Sequence, residues 1–234
     1  MTDVVSKQRK VSRKTQARSL ERRSTILMVA RELLEENAIN ELSLYQVAEK
    51  AGMPPSSVYH FFPKVDAILE ALLEDIFTDF EAILDQPLDE SAIHHWTDIM
   101  RQLQVRYVSY YRQHKYVRDL ILGQYTPGSL LHADYQHDDV LGCRIRKCHE
   151  AHYQLPPLPA GFNIFAIALQ IADKVYSISH QEHGNITDVM AREGGNAALA
   201  YLGEYIPRQL IPIPPSKYEI EQVILDSWAR RNDE

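Results

Sequence analysis

Cysteine is nearly absent from this chain: two among 234 residues, Cys143 and Cys148. A disulfide-stapled scaffold is therefore excluded. Five positions apart on one helix, the two side chains diverge and read as free thiols. Long apolar runs are also missing. The densest cluster, Ile164-Phe165-Ala166-Ile167-Ala168-Leu169, falls far short of the roughly 20 residues that cross a bilayer. The first residues lack the apolar stretch of an export signal, so a cytoplasmic location and no membrane partner are expected. Glycine is sparse, and none of the nine builds a phosphate-cradling loop. Neither Gly-x-Ser-x-Gly nor His-Glu-x-x-His occurs, so neither an enzyme nor a cofactor is expected. Strand-like alternation and internal repeats are missing too.

Histidine is plentiful, with ten residues, and raises the question of a metal. His94 and His95 are adjacent and diverge on a helix. Cys148 and His152 share a helical face at i, i+4, which is ligand spacing. Cys143, His149, His132 and His137 add no tight pattern around them, and no metal site is expected.

Net charge is −7, which taken alone argues against nucleic acid. Its distribution argues the reverse. Residues 1–64 hold 11 Lys and Arg against 7 Asp and Glu, or +4, which leaves −11 for the rest. Lys7, Arg9, Lys10, Arg13, Lys14, Arg18, Arg22 and Arg23 face only Glu21 within residues 7–23. A basic arm on a small N-terminal unit before an acidic body is the profile of a DNA-binding head on a regulatory domain. The division is placed at residues 1–64 and 65–234, with residues 1–12 expected to be disordered away from DNA.

Apolar periodicity predicts helices almost throughout. The first runs from about Thr15 to Asn37, with Ile26, Val29, Ala30, Leu33 and Leu34 inward. Ser43 caps a second, with Gln46 completing a capping box and Leu42 and Val47 forming a staple around it. Gly52 ends that helix in the left-handed region. Pro54 and Pro55 then start a third, Pro55 to Phe61, which at under two turns is stable only when packed. Val58 and Phe62 face inward. Ser56, Ser57 and His60 are left outward, small or polar enough to approach bases and phosphates. A richly apolar helix follows from Asp66 to Leu84. The body continues with helices at Ser91–His114, Val117–Leu122, Leu130–Tyr153, Phe162–Ser179, Ile186–Tyr205 and Tyr218–Arg231. A turn at Gly123–Gly128 and a rigid Pro-rich connector at residues 154–159 separate some of these. The fold class expected is all-α: a three-helix head followed by a helical body.

Across residues 24–69, a fifth of the chain, the sequence resembles the TetR family of transcriptional regulators. Ile26-Leu27-Met28-Val29-Ala30 matches the family's Ile-Leu-x-x-Ala opening. Leu33-Leu34-Glu35-Glu36, Ser43-Leu44-Tyr45-Gln46-Val47-Ala48, Ala51-Gly52-Met53, Val58-Tyr59 and Phe62 continue the match. The resemblance implies a homodimer whose helix-turn-helix heads bind duplex operator DNA and whose bodies hold a small-molecule effector, most relatives being repressors. It implies Tyr59 as a phosphate or thymine-methyl contact, His60 as a backbone or base-edge contact and Ser57 as a phosphate donor. Ser43, Pro55, Ser56 and Lys64 complete the expected DNA-binding set. Three positions depart from the pattern: Ala38 replaces a glycine, Pro54 replaces a small N-cap, and Val65 replaces a lysine that Lys64 must supply from a neighbouring direction.

Within the body, Trp96, Met100, Tyr107, Tyr111, Tyr125, Phe162, Phe165 and Tyr176 are the candidate lining of an apolar pocket. Aromatic acids, fatty acyl groups and hydrophobic drugs all remain open as ligands, with the acidic body leaning toward neutral or cationic ones. Ala166, Ile167, Ala197 and Leu202 are candidate dimer contacts, since helices rich in small apolar residues pack well across a two-fold axis. The competing class is a helical interaction module whose head no longer reads DNA.

Overall fold

The computed structural model describes residues 2–123 and 128–214, with side chains from 16 to 123 and from 136 to 214. The first helix, α1, runs Thr2–Glu36. It extends through the segment expected to be disordered. Residues 2–36 contain neither proline nor glycine, so a helix nucleated on its packed C-terminal half propagates without interruption. Ile26, Ala30 and Leu34 form its fully buried stripe.

The end of α1 explains how Ala38 is tolerated. Ala38 is extended, at φ −76° and ψ 155°, and no non-glycine residue among those described has positive φ. The last carbonyls are satisfied by side chains instead of a left-handed turn. Asn37 Nδ2 donates to Leu33 O at 2.7 Å, and Lys115 Nζ donates to Leu34 O at 3.2 Å and Asn37 O at 3.0 Å. A lysine from the body thus does the work of a C-terminal cap.

Helix α2, Leu44–Lys50, starts at the Ser43 capping box and is followed by Gly52 at φ 62°. That backbone conformation favours glycine over any residue with a Cβ. Helix α3 spans Pro55–Phe61, and Pro54 at its N-cap offers no side-chain acceptor. Its start is held by the Ser57 amide donating to Pro54 O at 2.8 Å. Pro55 has no amide hydrogen to orphan. Val58 and Phe62 anchor α3 at 0% and 3% exposure. Lys64 is the extended N-cap of α4, Val65–Leu84, whose Ile68, Leu69, Leu72, Ile76 and Phe80 are buried.

Helix α5 is Trp96–Gln113, five residues shorter at its start than its periodicity suggested. The cap is an imidazole: His95 Nδ1 accepts from the Thr97 amide, and Asp98 accepts the His95 amide at 2.8 Å. A short α6, Lys115–Val117, continues into a π-helical turn, Arg118–Leu122. Helices α7, Gly128–His152, α8, Ile164–His183, and α9, Asp188–Gly203, complete the described body. Asn163 caps α8 by accepting the Phe165 and Ala166 amides, which leaves Phe162 outside the helix. Thr187 caps α9. A Cβ on Gly142 of α7 would lie 2.5 Å from the Ala166 amide, so glycine permits the close α7–α8 approach. The only strand pairing among the described residues is a two-residue antiparallel ladder, β1 (Tyr153–Gln154) with β2 (Ile211–Pro212). The expected helix at Tyr218–Arg231 and most of the turn at residues 123–128 lie outside the described residues. Among the described residues, no helix is long and apolar enough to cross a membrane, and no group of three or more His, Cys, Asp or Glu could hold a metal ion.

Candidate nucleic-acid interface and body cavity

Burying Val58 and Phe62 fixes what α3 can show outside. Ser56, Tyr59 and His60 are exposed, with Ser57 and Pro55 half-buried. Tyr59 is 49% exposed, so its ring is not packed under the helix; Phe61 takes the partly buried place beside Val58 instead. Arg18, Ser19 and Arg22 of α1 form one side of a surface groove whose other side is Ser56, Ser57, His60 and Phe61. The i, i+4 series Arg18, Arg22, Ile26, Ala30, Leu34 accounts for it. The stripe that buries apolar groups in the head turns basic where α1 passes beyond that core. The sequence reading counted these arginines in a basic arm without joining them to α3; their i, i+4 continuity with the core stripe was the available signal. Arg23 lies 5.5 Å from the centre of the Phe62 ring, a cation–π contact that ties the same region of α1 to the end of α3.

Two expected contacts are already engaged. The Ser43 hydroxyl accepts the Gln46 amide at 3.2 Å and lies 2.8 Å from Gln46 Oε1, so it serves as a cap. Lys64 sits outside the helix as N-cap, exposed, with Nζ 3.4 Å from Asp66. Tyr45 on α2 is 66% exposed and was not singled out in sequence. An aromatic with a hydroxyl held in solvent two residues past a helix cap suits a phosphate contact.

The body encloses an apolar cavity of about 50 Å³ between α4, α5, α7, α8 and α9. Met100, Tyr107, Tyr111 and Tyr176 line it, together with Phe80 of α4. Three other expected lining residues do not. Trp96 and Phe165 are buried against His149, at ring distances of 6.2 and 5.0 Å. Phe162, cut off from α8 by the Asn163 cap, is 47% exposed and meets the Tyr205 ring. Tyr125 lies outside the described residues. Burial, with a further contribution from Asp173, holds the Tyr107 and Tyr176 hydroxyls above the ordinary phenol range.

The proposed dimer contacts also divide. Ile167 and Ala197 are half-buried on the outer sides of their helices. Leu202 is fully buried and Ala166 is 6% exposed within their own chain, so neither is available to a partner. Leu202 shares the inner face of α9 with Gly194, Gly195 and Ala198, and Ala166 faces Gly142. Periodicity gives the apolar faces of both helices without saying which one the same chain covers.

Residues 26–72 match the family model described as Bacterial regulatory proteins, tetR family. Comparison with curated proteins gives no match. Among solved structures, a TetR-family transcriptional regulator from Streptomyces coelicolor superposes with a TM-score of 0.60 at 21% identity, covering 80% of this chain and 98% of the other. A TetR transcriptional regulator from Rhodococcus sp. RHA1 gives 0.55 at 15% identity, covering 78% and 95%. Thermus thermophilus FadR, a repressor solved with lauroyl-CoA, gives 0.54 at 14% identity, covering 83% and 100%. These three likenesses are of fold.

Proposed function

We propose that this chain, a transcription regulator with the DNA-binding helix-turn-helix head of the tetR family, is a repressor released from a palindromic operator by a small molecule. The observation that carries the reading is the surface of α3. Its apolar side chains are buried, and its exposed Ser56, Tyr59 and His60 stand beside Arg18 and Arg22. Helix α3 enters the major groove, the arginines and Ser57 hold phosphates, and Tyr59 and His60 meet backbone or base edges. Residues 1–64 read DNA, and residues 65–234 sense ligand and dimerise.

A homodimer supplies the two heads. Its contacts are the outward stripe of Ile167, Ile171 and Ile178 on α8 with Val189 and Ala197 on α9, all partly or largely exposed in the single chain. Control passes through α4. That helix begins three residues after Phe62 and carries Phe80 into the cavity wall, so ligand entry and head position share one rigid element. A near-complete swing between binding and released states requires the ligand to prefer the released one by roughly 5 kcal/mol.

Footprinting on DNA flanking the gene tests this. The dimer should protect a palindrome, with affinity falling steeply as salt rises. Tyr59→Ala should weaken binding by roughly 1–3 kcal/mol without changing the melting temperature. If no fragment is protected even at low salt, and Tyr59 and His60 variants change no nucleic-acid measurement, the head serves protein contact instead.

A further inference from the structure

Helices α5 and α9 leave a groove of about 690 Å³ between them. Its floor is apolar. Val108 is buried and Leu199 half-buried, while Val105 stands out of the floor at 69% exposure, the highest of any large apolar side chain among the described residues. Arg101, Arg112 and Arg192 line the same groove against one carboxylate, Asp188. Arg112 holds Asp188 at 2.7 Å, and Arg101 reaches Asp98 at 3.3 Å. Three arginines in one groove stand out on a body, residues 65–234, whose net charge is −11. None of the groove residues belongs to the dimer stripe proposed above.

The described chain ends close to one mouth of this groove. The Arg208 carbonyl meets His95 Nε2 at the N-cap of α5, and the Ile213 amide donates to His152 O at 2.8 Å. Arg101 lies less than two turns beyond His95 and lines both the groove and a shallow hollow with Ile206 and Arg208. Residues 213–217 span up to about 17 Å when extended. After them comes the amphipathic helix expected at Tyr218–Arg231, outside the described residues. Ser216 and Glu219 have capping-box spacing at its start. Ile220, Val223, Ile224 and Trp228 recur at i, i+3, i+4 and i+8, which is one face of a helix. Glu219, Glu221 and Asp226 flank that face, and no cation occurs between residues 218 and 229. Such a helix is about 21 Å long, against about 17 Å along α5 from Arg101 to Arg112.

We propose that residues 218–231 dock as a helix in the α5–α9 groove of their own chain, with Ile224 over Val105, Glu221 toward Arg101 and Asp226 toward Arg192. The direction follows from the point of exit: the segment enters beside Arg101 and runs toward Arg112. Docking covers Val105 and sets carboxylates against the arginine rim. Gln104 and Leu199 line the groove and the body cavity alike, so the docked segment backs that wall of the cavity.

Hydrogen exchange on the full chain tests this. Residues 218–231 should exchange at least about tenfold more slowly than an unstructured peptide of the same sequence. Val105→Asp should restore the peptide's rates, and Arg192→Glu should quicken exchange about threefold, the weight of an exposed ion pair. Both positions are exposed, so α8 should stay protected in each variant. With Cys143→Ser and Cys148→Ser, the pair Val105→Cys and Ile224→Cys should oxidise to a disulfide within one chain. Should that variant fail to fold, exchange on the unaltered chain and Val105→Asp decides. Rapid exchange in the unaltered chain, or protection that Val105→Asp leaves in place, overturns the proposal. Thiols that stay free overturn it too, as does a disulfide joining two chains, which puts the segment in the groove of a second copy.

Discussion

The two cores of this molecule are built differently. In the head, the buried side chains of α1, α2 and α3 and of the joining loops are apolar without exception among the described residues. The body buries Arg118, His137, Asp138, His149, Ser177 and Ser179 as well. A purely apolar core of short helices has one good arrangement, set by caps, turns and shape. Buried polar groups make a core depend on proton and ligand chemistry, because each is favourable only while its partners and charge state hold. The head is thus suited to being carried as a rigid unit, and the body to having its equilibrium shifted.

The sharpest way to break this contrast is in the head. Phe62→Ala removes a ring that is 3% exposed and leaves a cavity, costing about 3–5 kcal/mol. Thermal denaturation should show it together with loss of DNA binding. A mild, purely local effect would mean that the head core is not the tightly packed unit described.

The body should answer to acid where the head does not. Burial pushes the imidazole of His149 down to about 4, against an opposing bond from Nδ1 to Ile145 O at 2.8 Å. The folded state keeps this base neutral while the unfolded chain protonates it near its ordinary value. Its contribution is therefore complete above about pH 6.5 and lost progressively toward pH 4, amounting to about 3 kcal/mol. Urea titrations between those limits should show the slope, and His149→Leu should flatten it. An unchanged slope in the variant would assign the acid sensitivity to other groups.

Where the two regions join, Lys115→Met should cost about 1–3 kcal/mol by leaving α1 carbonyls without donors. It also frees Asp119, which binds Lys115 at 2.6 Å and accepts from His180 Nε2 of α8 at 3.0 Å. Hydrogen exchange should quicken at the end of α1 and stay constant in α2. The smallest effect is expected at Ser43→Ala, about 1 kcal/mol from the lost cap, visible in the melting temperature. A larger loss of DNA affinity than of stability there would give Ser43 a direct phosphate role.

What was legible in the sequence follows the same division. The Ser43–Gln46 box, the left-handed Gly52 and the proline start of α3 all act within a few residues, and each stands in the structure where local chemistry places it. The body's surprises are long-range or chemically ambiguous. Lys115 closes α1 across 78 residues of chain from Asn37. His95 is an imidazole doing the work usual for a serine or aspartate. Phe162 lost its expected place because Asn163 begins α8 after it, and Leu202 because its own chain covers it. In each case a pattern of residue types was present while the partner that decides its meaning lay elsewhere in the chain.

The lysine at the end of α1 has a mechanical consequence. Helix α1 is a rod of 35 residues held at one end by Lys115, while Arg18 stands 19 residues before Asn37 along it. At 1.5 Å of rise per residue that arm is about 28 Å long, so a tilt of about 5° at the fulcrum sweeps Arg18 through about 2.5 Å. Hydrogen bonds to phosphate fail over about that distance. On the proposed function, a displacement too slight to disturb the packing around its pivot would be enough to unseat the arginines at the far end from phosphate.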